Sequence, residues 1–163
     1  MRSYKWFLPL FFLVCFSACV DDEICEEATA NPLRIGFYAP GELEPVQRPI
    51  DSLTVFGVGR PDSMIYDNAY SVFLAELPLN PNRDTTAFVL EFPLQTDTLM
   101  VVYQRELNLI SVECGFAMFF ELEGIQNTEN FITSTTISIS EVINTFDEHI
   151  QILVPAPPPP DIE

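Results

Sequence analysis

The stretch TTAFVLEFPLQTDTLMVVYQRELNLISVECGFAMFFEL, residues 85–122, decides the fold. Large apolar side chains return at every second position along it: Phe88, Leu90 and Phe92, then Leu99, Val101 and Tyr103, then Phe116, Met118, Phe120 and Leu122. Successive side chains of an extended chain point to opposite faces, so a period of two describes strands with one buried face. No comparable stretch has the 3.6-residue spacing of a helix.

Reading outward, Ile137 and Ile139 alternate with Thr136, Ser138 and Ser140, and Ile150, Ile152 and Val154 repeat the pattern near the end. Residues 33–38, 52–57, 71–77 and 107–114 are further expected strands. Turn-forming or polar residues separate the runs: Pro40-Gly41, Arg60-Pro61-Asp62, Asn80-Pro81-Asn82, Thr96-Asp97, Glu106 and the stretch 124–129. Roughly eight or nine short strands with such breaks predict an all-β domain. The expected form is a single β-sandwich of immunoglobulin-like type, with a small β-barrel as the alternative that strand spacing leaves open. Residues 140–147 read as a short helical turn or an irregular loop. The run Pro155-Ala156-Pro157-Pro158-Pro159-Pro160 cannot donate to a sheet and reads as an extended tail.

Upstream, Arg2 and Lys5 precede an apolar run from Trp6 to Phe16, followed by the small residues Ser17 and Ala18. This is the layout of a secretory signal peptide, with an apolar stretch too short to span a bilayer. Phe16-Ser17-Ala18-Cys19 resembles the lipobox of bacterial lipoproteins, which implies lipidation of Cys19 and attachment to membrane lipid through it. The acidic run after Cys19 reads equally as a solvated tether or as a surface-export signal of the kind carried by Bacteroidota lipoproteins. The expected organisation is therefore a signal peptide over 1–18, an acidic tether over 19–30, the β-sandwich over 31–155 and the Pro-rich tail over 156–163.

Removing the signal leaves 163 − 18 = 145 residues, a size for one domain. Five arginines then face all 24 acidic residues, so the net charge moves from −17 to 5 − 24 = −19. That surface repels nucleic acid and anionic lipid headgroups, since binding to phosphate requires clustered cations, and nucleic acid is excluded as a partner. With Cys15 removed and Cys19 lipidated, Cys25 and Cys114 remain as a pair. An oxidising compartment favours a disulfide between them, closing a loop of about 90 residues for roughly 4–5 kcal/mol. A metal-binding pair is the less fitting alternative, because close cysteine spacing and nearby histidines are missing.

The stretch Leu77-Pro78-Leu79-Asn80-Pro81-Asn82, with Asp84-Thr85-Thr86, Tyr103-Gln104-Arg105-Glu106 and Glu113-Cys114-Gly115-Phe116, resembles an uncharacterised family of small Bacteroidota lipoproteins. The resemblance implies an outer-membrane lipoprotein, on its periplasmic side or at the cell surface, with an outer-membrane β-barrel protein as a partner. It implies no activity. Nothing in the residues supplies one either. The single histidine, His149, stands before an apolar strand without a nucleophile motif and reads as an exposed strand start, so no catalytic residue and no cofactor is assigned. Asp62, Asp67, Asn68, Asn80, Asn82 and Asp84 could offer oxygens to calcium, but they serve equally as turn residues, and no metal site is assigned. Tyr66 and Tyr70, in an expected loop over 64–70, are the candidate contacts for a ligand or partner, against a bland role covering the sandwich edge.

Overall fold

A computed structural model describes residues 30–112 and 114–156, and these form a β-sandwich of eleven strands without helices. The strands are β1 (Leu33–Ala39), β2 (Val46–Gln47), β3 (Leu53–Gly57), β4 (Met64–Ala69), β5 (Leu74–Leu77) and β6 (Thr85–Glu91). They continue with β7 (Thr96–Ser111), β8 (Gly115–Asn127), β9 (Ser134–Ile137), β10 (Glu141–Val142) and β11 (Ile150–Leu153). One sheet has the order β2-β1-β11-β9, with β5 also on β1; the other runs β10-β8-β7-β6-β3-β4. The first sheet centres on β1, which pairs in parallel with β11 from Ile35↔Ile150 to Tyr38↔Leu153. Its opposite edge is shared: β5 takes Leu33 to Gly36, and β2 takes Tyr38 and Ala39. The second sheet is antiparallel and curls into half a barrel, so the sandwich carries some of the curvature of the alternative form.

The period-two rows face each other across the gap. Leu33, Ile35 and Phe37 of β1 with Ile150 and Ile152 of β11 oppose Val55, Phe88, Leu90, Leu99 and Val101 of the curled sheet, all essentially buried. Phe92 joins the layers, edge-on to Phe37 at 6.5 Å and tilted against Phe131 at 4.4 Å. Tyr103 is fully buried and stands edge-on to Phe120 at 5.2 Å. Its phenol accepts the Asn80 N–H at 2.9 Å, donates to the Asn80 carbonyl at 3.0 Å and lies 2.6 Å from the Thr86 hydroxyl. One side chain of β7 thereby fixes the connection between β5 and β6.

Several boundaries differ from expectation. Glu106 does not end β7, because an exposed strand face tolerates a charged residue, and at Gly124 β8 continues through a register shift that skips Glu123 rather than stopping. The Thr96-Asp97 break moves back to Phe92–Gln95, where the Phe92 N–H bonds the Gln95 carbonyl. The expected loop over 64–70 is mostly strand β4, at the sheet edge, where Asp67 and Asn68 fit because one edge needs no partner. Residues 140–147 contain no helix; β10 pairs with β8 there and seals the core with Val142. Of the Pro-rich tail, residues 157–163 lie outside the described residues, as do 1–29.

Tyr103→Phe keeps the ring and loses the phenol bonds to Asn80 and Thr86. It is expected to lower stability by about 1–3 kcal/mol in urea unfolding, whereas Leu99→Ala costs about 2–5 kcal/mol through the cavity. An unchanged midpoint for Tyr103→Phe would show that residues 80–86 do not depend on that hydroxyl.

Candidate functional site

Beyond the sandwich, β7 and β8 continue as a two-stranded arm. Tyr103 pairs with Leu122, Arg105 with Phe120, Leu107 with Met118 and Leu109 with Phe116, with no register shift between them. Directly opposed residues share a face, so this is the core-facing row extended past its cover. Burial fades along it: Leu122 and Phe120 are buried and Met118 is half-buried, while Leu107, Leu109 and Phe116 are 61, 58 and 62% exposed. Val112, in the turn, is 87% exposed. Gly115 closes that turn at φ 72°, a conformation that suits a residue without Cβ, and the Cys114 N–H donates to the Ser111 hydroxyl at 2.9 Å. An apolar row of this size on a strongly acidic chain is a candidate interaction surface.

The sequence reading missed this surface. It assigned Phe116 and Met118 to a core face, which is right for the strand and wrong for the layer above it. A signal was nevertheless present: residues 107–119 contain one charged residue, Glu113, in a chain with 24 acids.

A second cluster lies on the outer face of β1. His149 is fully buried, which corrects the expected exposed strand start: residues 145–149 fold across β1 rather than leading freely into β11. Its Nδ1 accepts the backbone N–H of Arg34 at 3.0 Å, so a neutral ring carries its proton on Nε2, which has no partner among the described residues. Arg34, 6% exposed, donates to Glu76 at 2.8 Å and to the Thr145 carbonyl, and lies 5.0 Å from the Phe146 ring centre. Beside it the Tyr38 phenol donates to the Glu148 carboxylate at 3.0 Å, and burial together with that carboxylate raises the tyrosine's pKa. With Nδ1 already bonded and Nε2 protonated, His149 has no lone pair to offer a substrate. The cluster braces β1.

Asp97 is the other buried charge. At 1% exposure its carboxylate accepts the Thr128 hydroxyl and the N–H groups of Asn130, Phe131 and Ile132 at 2.6–2.9 Å. It holds the crossing from the curled sheet to β9. Burial pushes this carboxyl up, and the four donors outweigh burial and keep it below the ordinary value.

The remaining sequence candidates are dispersed. Tyr66 lies on β4, half-buried, its hydroxyl accepting the Glu76 N–H at 2.9 Å; Tyr70 follows the strand, 80% exposed. The Tyr66 hydroxyl is therefore engaged within the fold, while the Tyr70 side chain is open to solvent. Asn80 caps its own turn by accepting the Asn82 N–H, Asp84 pairs with Arg105 at 2.6 Å, and Asn68 meets Ser52. Among the described residues no three His, Cys, Asp or Glu side chains gather as a metal site. Cys114 is half-buried in the arm's turn, whereas Cys19 and Cys25 lie outside the described residues.

Acid weakens this fold in two ranges. Burial first, then Arg34, lowers the His149 pKa against the small opposing effect of Asp147, so its proton binds more readily to the unfolded chain. Stability contributed by neutral His149 is present above the unfolded value of about 6.5 and falls as pH drops below it. The depressed Asp97 contribution is present above about 3.9 and falls at lower pH. In urea unfolding, His149→Asn is expected to flatten the limb between about pH 7 and 5, and Asp97→Asn to cost about 2–4 kcal/mol at neutral pH. A flat limb in the unsubstituted protein would contradict the assignment of His149.

No curated protein and no solved structure matches the chain. A family model does match residues 52–154, which include every strand of the curled sheet and the strands β5, β9 and β11 of the other. On that match the chain belongs to DUF6452, a family of unknown function.

Proposed function

We propose that the protein is a lipid-anchored, non-catalytic lipoprotein of the bacterial outer membrane, of the Bacteroidota type, whose β-sandwich works by binding or supporting another outer-membrane component. The observation that carries this reading is the uncovered apolar row of the arm, Leu107, Leu109 and Phe116 with Val112 at its end. Exposed rows of this kind mark contact surfaces rather than sites of chemistry. The two buried polar clusters are consistent with this, since His149 Nδ1 and the Asp97 carboxylate are both engaged by backbone N–H groups. An outer-membrane β-barrel is the protein partner this reading favours.

Lipid on Cys19 supplies the anchor, because several acyl chains bind far more firmly than one. A Cys25–Cys114 disulfide would tie the tether to the turn of the arm and fix the contact surface close to the anchor. Its support is the pairing of the two cysteines that remain after processing, in a compartment that favours oxidation.

A second reading, a surface module for glycan, rests on a cleft of about 740 Å³ where Arg60 and Arg83 join Asn80 and Asn82. Neither arginine has an ion pair among the described residues, so both could meet an acidic sugar. Calcium has less support, its loop oxygens being engaged within turns.

Labelling with radioactive palmitate and membrane fractionation test the proposal. Label and membrane association are expected in the native chain and absent in Cys19→Ser. A Cys25–Cys114 peptide is expected in a non-reduced digest. Unlabelled native protein in the soluble fraction would overturn the anchored reading.

A further inference from the structure

We infer that the end of the β7–β8 arm rests in the interfacial layer of the bilayer that holds the chain, so that the component met by this surface is lipid. The inference deepens the anchored reading and rests on it. The exposed row is one-sided: cross-strand pairing puts Leu107, Leu109, Phe116 and Met118 on the same face, with Val112 at the tip. Charge is distributed to match. Residues 107–119 hold only Glu113, whereas the whole chain carries −17. Charged side chains are the main obstacle to entering a membrane, and aliphatic and aromatic rows favour its interface.

The entry of the chain supplies the location. The Asn31 amide donates to the Met118 carbonyl at 2.8 Å, so the polypeptide joins the sandwich at the root of the arm. Cys19 precedes Asn31 by twelve residues, at most about 40 Å of extended chain, and the arm from Met118 to Gly115 is only about 10 Å long. An anchored Cys19 therefore keeps the tip within reach of the bilayer. Depth is limited by hydrogen bonding. The ladder between β7 and β8 satisfies the inner backbone groups, but a two-stranded arm has outer edges, and their N–H and C=O groups need water or headgroups. The interface provides both; the hydrocarbon centre does not. Self-association on this face would bring two strongly acidic bodies together, which disfavours a second copy as occupant.

The test uses the native lipoprotein, purified from membranes and reconstituted in phosphatidylcholine vesicles. Processing at Cys19 removes Trp6, so Phe116→Trp, Leu109→Trp and the control Leu43→Trp each carry one tryptophan. All three positions are exposed, at 62, 58 and 98%, so the substitutions spare the core. Tryptophan at 116 and at 109 is expected to emit at shorter wavelength and to be quenched several-fold more by acyl-brominated phosphatidylcholine than tryptophan at 43. Vesicle-bound protein whose three tryptophans behave alike overturns this inference alone, as does capture of the arm by a protein in native membranes with no quenching by brominated lipid. Protein that fails to float with the vesicles overturns the anchored reading and this inference with it.

Discussion

The first sheet depends on one constraint: β1 must find β11 across more than a hundred residues. Every strand of that sheet except β9 pairs directly with β1, and β9 reaches it only through β11. β1 therefore cannot be an edge. Its two faces are both covered, Leu33, Ile35 and Phe37 by the core and Arg34 and Gly36 by residues 145–149. Gly36 marks how close that cover lies, because a Cβ there would meet the Glu148 carboxylate. Such distant pairing must form against the entropy of closing a long loop, whereas the β6–β7–β8 meander joins neighbours in sequence. The family match begins at residue 52, after β1. The matched stretch is thus not a folding unit: without β1, strands β5 and β11 lose their shared partner.

Polar groups are placed where strand pairing alone cannot hold the chain. The crossing between sheets after β8 has no ladder, and the Asp97 carboxylate substitutes for one by gathering three consecutive N–H groups. Arg34 and His149 do the same on the back of β1, where a main-chain donor meets a ring nitrogen. A buried charge is tolerable when its hydrogen bonds are complete, and costly when one partner is removed. These clusters make the fold specific and also acid-sensitive, since protonation of either group removes an acceptor that the backbone uses.

What could be read from the sequence divides along the same line. The inward rows of β6 and β7 were legible because period two survives any detail of pairing, and Phe88, Leu90, Leu99 and Val101 are all buried as the alternation requires. Asp97 and His149 were not. Each looks polar and breaks a pattern, and the groups that make its burial tolerable lie about 31–35 and 115 residues away. β4 was misread for a related reason: Asp67 and Asn68 are turn residues by composition, and only its position at the sheet edge lets them remain in a strand. Tyr66 shows the limit for candidate contacts, because a phenol's exposure depends on whether a neighbouring backbone, here Glu76, has claimed its oxygen.

The arm follows from the same physics as the core. Alternation specifies which face of a strand is apolar but carries no information about where the opposing sheet ends. In β7 the row from Leu99 to Tyr103 is interrupted by the exposed Arg105 and resumes at Leu107 and Leu109, yet the cover stops near Phe120 and Met118. A strand that only needed to complete the sandwich could have ended at Arg105, with polar residues beyond. Instead the alternation continues for two further cross-strand pairs, and the acidic residues that dominate the rest of the surface fall away. Exposed apolar pairs stabilise a strand pair far less than buried ones do and raise its tendency to aggregate. Burial of these residues would have to come from outside the sandwich, and for that reason the proposed function is built on the arm.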